Sequence, residues 1–133
     1  MREILFRGVE TDREEWVYGY LIHDSICNST VPYIGYLSHE QADTENRDIV
    51  PVIPETVGQF TGLTDKNGKK IFEGDIVKYK EHILQVEYAD DYASYFFHNN
   101  GSVIGECTAK YTKEYAEIIG NIHDNPELLE ADE

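Results

Sequence analysis

No apolar run in this sequence approaches the ~18 residues that a membrane-spanning helix needs. The first ten residues, MREILFRGVE, carry Arg2, Glu3 and Arg7 where a secretory signal has its apolar core. The expected location is therefore the cytoplasm. Cysteine is scarce. Cys27 and Cys107 fit no C-x-x-C or C…H-x-H spacing, so they form no local zinc or redox motif, and both are expected as free thiols in a reducing compartment. Base is scarce as well: 26 acids face 11 Lys and Arg, a net charge of −15. Residues 1–66 hold 12 acids and 5 bases (−7), and residues 67–133 hold 14 and 6 (−8), so neither half is basic. Such a field repels nucleic acid, and the pairs Lys69/Lys70 and Lys78/Lys80 are too few to reverse it. The acidity itself reads as a solubility device, or else as a surface for a basic partner or one that imitates nucleic acid.

Catalytic motifs are missing too. There is no G-x-S-x-G, no glycine-rich phosphate loop and no Cys–His pair near a recognisable motif. His23, His39, His82, His98 and His123 never fall at i+2, i+3 or i+4 from one another, so no local metal-ligand spacing exists. Neighbouring carboxylates such as Glu14-Glu15 and Asp90-Asp91 point to opposite faces of a strand and make no dyad locally. Asp65-Lys66-Asn67-Gly68 has the opening of a calcium loop. Its third acidic ligand would fall on Lys69 and its twelfth on Ile76, which cannot ligate. No cofactor, no metal and no enzyme activity are expected.

What is present is the material of strands. At 133 residues, with 41% hydrophobic and 28% charged residues, the chain is long enough to bury a core without disulfide or metal. Its 12% aromatic content, ten of them Tyr, suits a pleated surface. Short apolar runs recur: Ile4–Arg7, Trp16–Ile22, Val31–Leu37, Val57–Leu63, Ile71–Phe72, Ile76–Lys80, Ile83–Tyr88, Tyr92–His98, Val103–Gly105 and a last strand within Tyr115–Ile122. Gly19 inside WVYGYLI marks a bulge or a close backbone approach. Residues 38–48 (SHEQADTENRD) lack an apolar stripe and read as an exposed helical turn or a loop. Pro51 and Pro54 suit an edge segment. Asn67-Gly68 and Asn100-Gly101, each between apolar runs, are hairpin signals. Asp124-Asn125-Pro126-Glu127 opens a short C-terminal helix.

Turns every 8–12 residues and no helix long enough for a crossover predict a mainly β protein of antiparallel strands. The expected organisation is an N-terminal β subdomain over 1–56, a small SH3-like barrel over 57–126, and an acidic C-terminal tail over 127–133.

GQFTGLTDKNGKKIFEGDIV, residues 58–77, resembles the signature stretch of the YopX family of phage and prophage proteins. REILFRG and WVYGYLI resemble the opening strands of that family, PETVGQFTGL leads into the signature, and EIIGNIHDNPELL resembles its closing strand and short helix. The resemblance implies a β-rich fold with an SH3-like barrel in a bacterial phage, prophage or plasmid setting. It implies no activity, because the function of the family is unknown, and it carries over no catalytic or binding residue. The matching Gly62, Asp65, Asn67, Gly68, Glu73, Gly74 and Asp75, and also Asn100 and Gly101, are read as fold-determining turn residues.

The run YASYFF, residues 92–97, has the composition of a base-stacking platform, but such a platform sits in a positive groove and the sequence gives no sign of one. Core and cross-strand packing is the plainer reading, and any of Tyr92, Tyr95 and Phe97 that is exposed would mark a protein-binding patch. The function expected is that of a non-enzymatic protein-interaction module acting in the bacterial cytoplasm. The alternatives are an acidic nucleic-acid mimic that blocks a host DNA-binding protein, and an enzyme whose site is assembled from distant residues. Partners are expected to be proteins, basic ones by charge; unpaired sheet edges also allow a homo-oligomer. One outcome follows from charge alone. Neither duplex nor single-stranded DNA should be retained in a gel-shift assay at physiological salt, because each phosphate contact needs a local base.

Overall fold

A computed structural model describes residues 3–22, 31–36, 49–99 and 102–130. The chain is mainly β, and it divides into two compact units, Met1–Gln59 and Phe60–Glu133. No helix among the described residues is long and apolar enough to cross a membrane.

In the first unit β1 (Phe6–Val9), β2 (Trp16–Ile22), β3 (Tyr33–Tyr36) and β4 (Ile49–Pro51) form an antiparallel sheet in the order β4-β3-β2-β1. The start of β5 (Gly58–Thr64) adds to its β1 side through Phe6↔Gln59 and Arg7↔Gly58. Alternation in WVYGYLI sends Val17 inward and Tyr18, Tyr20 and Ile22 outward. Val17, Ile34, Val50 and Val52 make the core. Pro51 closes β4 at the sheet edge, where a missing N–H breaks no ladder. Gly19 is a close approach and not a bulge: it pairs in register with both neighbouring strands, and a Cβ there would lie 1.8 Å from the Gly35 carbonyl oxygen. Thr56 ties the end of the unit down. Its Oγ1 accepts the Val9 N–H at 2.8 Å and donates to the Ile53 carbonyl at 2.6 Å.

The second unit holds a five-stranded antiparallel sheet in the order β10-β9-β8-β7-β11. Its strands are β7 (Asp75–Tyr79), β8 (His82–Ala89), β9 (Ser94–Asn99), β10 (Ser102–Glu106) and β11 (Ala116–Asn121). The rest of β5 pairs with β6 (Lys70–Phe72). The order is linear, ending at β10 and β11, so the sheet is not closed into a barrel among the described residues. Ile71, Val77, Leu84, Val86, Phe97 and Ala116 pack as one core, with Tyr79, Tyr95, Cys107 and Ile118 against it. Among the described residues, helix is confined to α1 (Ala109–Tyr115), α2 (Glu127–Glu130) and single 3₁₀ turns at Pro54–Thr56 and Asp90–Tyr92.

Two elements depart from the expected strands. The run from Tyr92 starts later, because Asp90–Tyr92 is a 3₁₀ turn capped by Ala93 at φ 51°, and β9 begins at Ser94. Helix α1 leaves no periodic signal, because Thr112 is its one buried residue and every other side chain but that one faces away from the core. Asn100-Gly101 lies outside the described residues, as do Ser38–Asp48 and the tail 131–133, although the flanking pair Ser102↔Asn99 is antiparallel.

The link between β5 and β6 is a three-residue loop, Lys66-Asn67-Gly68, closed by the Asp65 N–H on the Lys69 carbonyl at 2.8 Å. Gly68 alone has a positive φ, +81°, while Asn67 does not; the loop is therefore not the two-residue mirror-image turn that Asn-Gly suggests. Its geometry comes from Asp65, which is 1% exposed. Oδ1 accepts the N–H groups of Asn67 and Lys69, each at 2.9 Å, and Oδ2 accepts that of Ile118 at 3.0 Å. Asp75, 2% exposed, accepts the Phe72 N–H on Oδ2 at 2.7 Å and so shapes the Glu73-Gly74 turn.

Replacing Asp65 by Ala leaves a buried N–H of β11 without its acceptor and frees the loop, a cost of about 2–4 kcal/mol. Asn should not rescue it, since one side-chain atom facing those donors becomes itself a donor. Urea denaturation of both variants checks this; an Asp65→Asn protein as stable as the wild type would show that the carboxylate is dispensable.

Candidate functional site

Two surfaces stand out, one on each unit. On the first, the outer face of β2 and β4 carries Tyr18 (37% exposed), Tyr20 (58%), Ile22 (37%) and Ile49 (52%). The register aligns Tyr20, Gly35 and Ile49 across three strands and sets Ile22 beside the half-buried Tyr33. Gly35 has no side chain between Tyr20 and Ile49, and it is buried. Clustered exposed apolar side chains of this kind are uncommon on a free-standing surface. On the same face, opposite Tyr18 in the register, Arg7 is buried and its guanidinium lies 4.7 Å from the centre of the Trp16 ring.

On the second unit, a groove of about 340 Å³ is lined by Lys66, Lys78, Lys80, Glu114, Tyr115 and Glu117. Three separate stretches build it. Lys66 sits on the loop that Asp65 shapes, and its N–H donates to the Ala116 carbonyl at 2.8 Å. Lys78 lies on the outer side of β7 opposite Glu117 of β11. Lys80 takes the tight turn after β7 with φ 57°. Helix α1 supplies Glu114 and Tyr115.

The charges there are arranged unevenly. Lys66 Nζ meets Glu117 Oε2 at 3.2 Å, an exposed pair worth at most about 1 kcal/mol. Lys80 Nζ lies 4.7 Å from the Tyr115 ring centre and 5.9 Å from that of Tyr79, so π-faces hold it without neutralising it. Tyr111 stacks on Tyr115 at 6.4 Å with the planes 16° apart. Partial burial, and then the neighbouring Tyr115, Tyr111 and Glu114, hold the Tyr79 hydroxyl above the usual phenol range. The expectation of no positive groove is thus corrected: three of the 11 bases gather in one place from positions up to 14 residues apart, which composition does not reveal. The visible hint is Lys78 and Lys80 two apart, a spacing that turns both to one side of a strand.

The singled-out aromatics do not form one patch. Tyr92 is 74% exposed, but Phe97 is a core residue at 5% and Tyr95 packs against that core. Strand parity explains the correction: Tyr95 and Phe97 share the inward face of β9, where Tyr95 meets Tyr88 edge-on at 5.1 Å. Phe96 points the other way, and its ring lies 5.4 Å from that of Tyr92. The turn residues are spread over the β5–β7 segment: Gly62 and Gly74 have φ of +89° and +93°, Asn67 and Gly68 lie in the loop below Asp65, and Glu73 precedes Gly74 in the next turn. The Asp65 carboxylate oxygens face backbone N–H donors, so they are not turned towards a cation. Among the described residues, no three His, Cys, Asp or Glu gather to hold a metal ion. His98 Nδ1 faces Glu87 Oε2 at 3.3 Å.

Three comparisons place the chain among known proteins. The family model described as YopX protein matches residues 5–130. The crystal structure of protein EF1440 from Enterococcus faecalis is similar, with a TM-score of 0.58 and 29% sequence identity over 97% of this chain and 99% of that one. No curated protein matches.

Cys107 is free and half-buried, and its N–H donates to the Tyr95 carbonyl at 3.0 Å; Cys27 lies outside the described residues. Burial, aided by the charge of Glu106, pushes the Cys107 thiol up to about 12. At pH 8 roughly one molecule in ten thousand is then thiolate, against about a quarter for an ordinary thiol. In a Cys27→Ser protein, Cys107 should be alkylated by iodoacetamide at pH 8 at least about 100-fold more slowly than in the same protein unfolded in urea. Equal rates would show that the thiol is open to solvent.

Proposed function

The chain belongs to the YopX family, and we propose from its surfaces that it is a non-enzymatic interaction module, acting in the cytoplasm of a bacterium that carries a phage or prophage, whose partner is a protein with a basic surface. The observation that carries this reading is the outer face of β2 and β4, where Tyr18, Tyr20, Ile22 and Ile49 lie exposed together. Tyr and Ile bring large contact area at little entropic cost, and buried aromatics dominate the energy of protein interfaces. Net charge supports a basic partner: with −15 on the chain, encounter with a positive surface is accelerated and with a negative one is slowed. The apolar face then supplies the short-range energy, and the acids of the chain, with the exposed Asp12, Glu14 and Glu15 in the turn before β2 among them, supply steering.

The test compares the wild-type chain with a Tyr20→Ser/Ile49→Ser double variant as immobilised baits for a bacterial lysate. The expected result is a protein retained by the wild type, weakened about tenfold or more by the double variant, and released as salt rises from about 0.1 M towards 1 M. Equal retention by both baits would reject this face. A concentration-dependent dimer of the chain that the double variant abolishes would put a second copy there instead, and would equally overturn the reading.

A further inference from the structure

We propose that the groove between Lys66, Lys78, Lys80 and Tyr115 binds the phosphate group of a small phosphorylated molecule. The chain has 26 acids and only 11 bases, yet three of those bases line one groove of about 340 Å³. Folding does not demand this. Lys78 is exposed and has no ion-pair partner among the described residues. Lys80 is positioned by Tyr115 and Tyr79, whose rings fix its ammonium while leaving the charge uncompensated. A lysine held in place but not neutralised, as Lys80 is, suits an oxyanion, and lysine serves phosphate as a compact point charge.

The two acids make the site exchangeable. Glu114 and Glu117 leave the empty groove with one net positive charge from three lysines. Glu117 occupies Lys66 at 3.2 Å, and both side chains are exposed, so the pair is easily opened. A phosphate dianion entering the groove takes the place of the Glu117 carboxylate against Lys66 and gains Lys78 and Lys80 in addition. Glu117 is therefore a competitor for the site and not a ligand of it.

Size and field select a small molecule. A volume near 340 Å³ is at the lower end of ligand pockets, about 300–1,000 Å³. A polymer of phosphates would have to run beyond the groove over a chain of net charge −15, whereas a single ester does not. The proposal is independent of the partner-binding face of the first unit.

The test is a ¹H–¹⁵N NMR titration of the full chain at about 50 mM NaCl with pyrophosphate, AMP and glucose 6-phosphate, against sodium chloride at matched ionic strength. Saturable shifts at residues 66, 78, 80 and 117 are expected with pyrophosphate and with at least one of the esters, whichever carrier fits better. Lys78→Gln with Lys80→Gln should weaken binding tenfold or more while the remaining spectrum stays in place. Glu117→Gln should tighten it several-fold, a gain that a merely structural Glu117 would not give. Shifts that never saturate and are matched by chloride would overturn the proposal. So would unchanged or weaker binding by the Glu117→Gln protein. Tighter, lysine-dependent binding of a 20-nucleotide single strand would replace the small ligand by nucleic acid. The Tyr20→Ser/Ile49→Ser variant should titrate as the wild type does, so failure of the partner reading leaves this result standing.

Discussion

The buried carboxylate of Asp65 is the contact on which most of the second unit depends. Taking a charge out of water is costly unless it is fully hydrogen-bonded. Here three backbone N–H groups from two places in the chain converge on it, and the one from Ile118 lies 53 residues away. A neutral side chain of the same size would not hold all three donors. The bond to Ile118 sits beside the shift in register between Ile118 and Gly120, where β11 departs from regular pairing with β7. The carboxylate therefore satisfies backbone donors at a place where the ladder does not. The adjacent Lys66 N–H on Ala116 repeats the tie one residue on. Together these bonds fix the β5–β6 loop against the start of β11, and Lys66 is thereby delivered to the groove.

That role explains why residues 58–77 read so clearly as a unit. Their polar residues are not surface filler. Asp65 and Asp75 each accept backbone N–H groups inside the fold, Thr61 Oγ1 donates to the Ile71 carbonyl at 2.8 Å, and Gly68 takes the one positive φ that the loop needs. Apolar alternation gives strands anywhere; a buried aspartate placed directly after a strand, as Asp65 is, or directly after a turn, as Asp75 is, gives a particular loop. The strands themselves were legible for the ordinary reason. Val17 against Tyr18 and Tyr20, and Leu84 and Val86 against Gln85 and Glu87, alternate with period two and sort by face as a half-buried sheet requires.

What was not legible fails for equally physical reasons. Helix α1 carries a single buried residue, Thr112, whose Oγ1 donates back to the Thr108 carbonyl at 2.8 Å; a helix held by its own bonds and by the strand that follows writes no apolar stripe. Which members of the aromatic run are exposed is set by parity: Phe97 and Tyr95 turn inward, and Phe96 and Tyr92 turn outward. The groove depends on residues from a loop, a strand end and a helix end, so no window of sequence contains it. The exposed face of the first unit was hidden differently. Tyr18, Tyr20 and Ile22 are visibly alternate, but an alternating strand does not say which of its two apolar faces is left outside.

The charge of the chain looks different once the lysines are located. Spread evenly, 11 bases among 26 acids would only dilute a negative surface. Gathered three to a groove, they make a local positive well inside a long-range negative field, and the two act at different distances. At physiological salt the field of exposed charges fades over about 8 Å, so an ion close to the groove responds mainly to the exposed lysines and glutamates that line it. Lys80 over Tyr115 and Lys66 against Glu117 show the two ways of keeping such a well folded when it is empty: one lends the cation a π-face, the other a displaceable carboxylate. The second is the reversible one, since breaking it exchanges one exposed charge pair for another. An acidic chain can therefore still gather, in one groove built by the Asp65 loop, a cluster of the opposite sign.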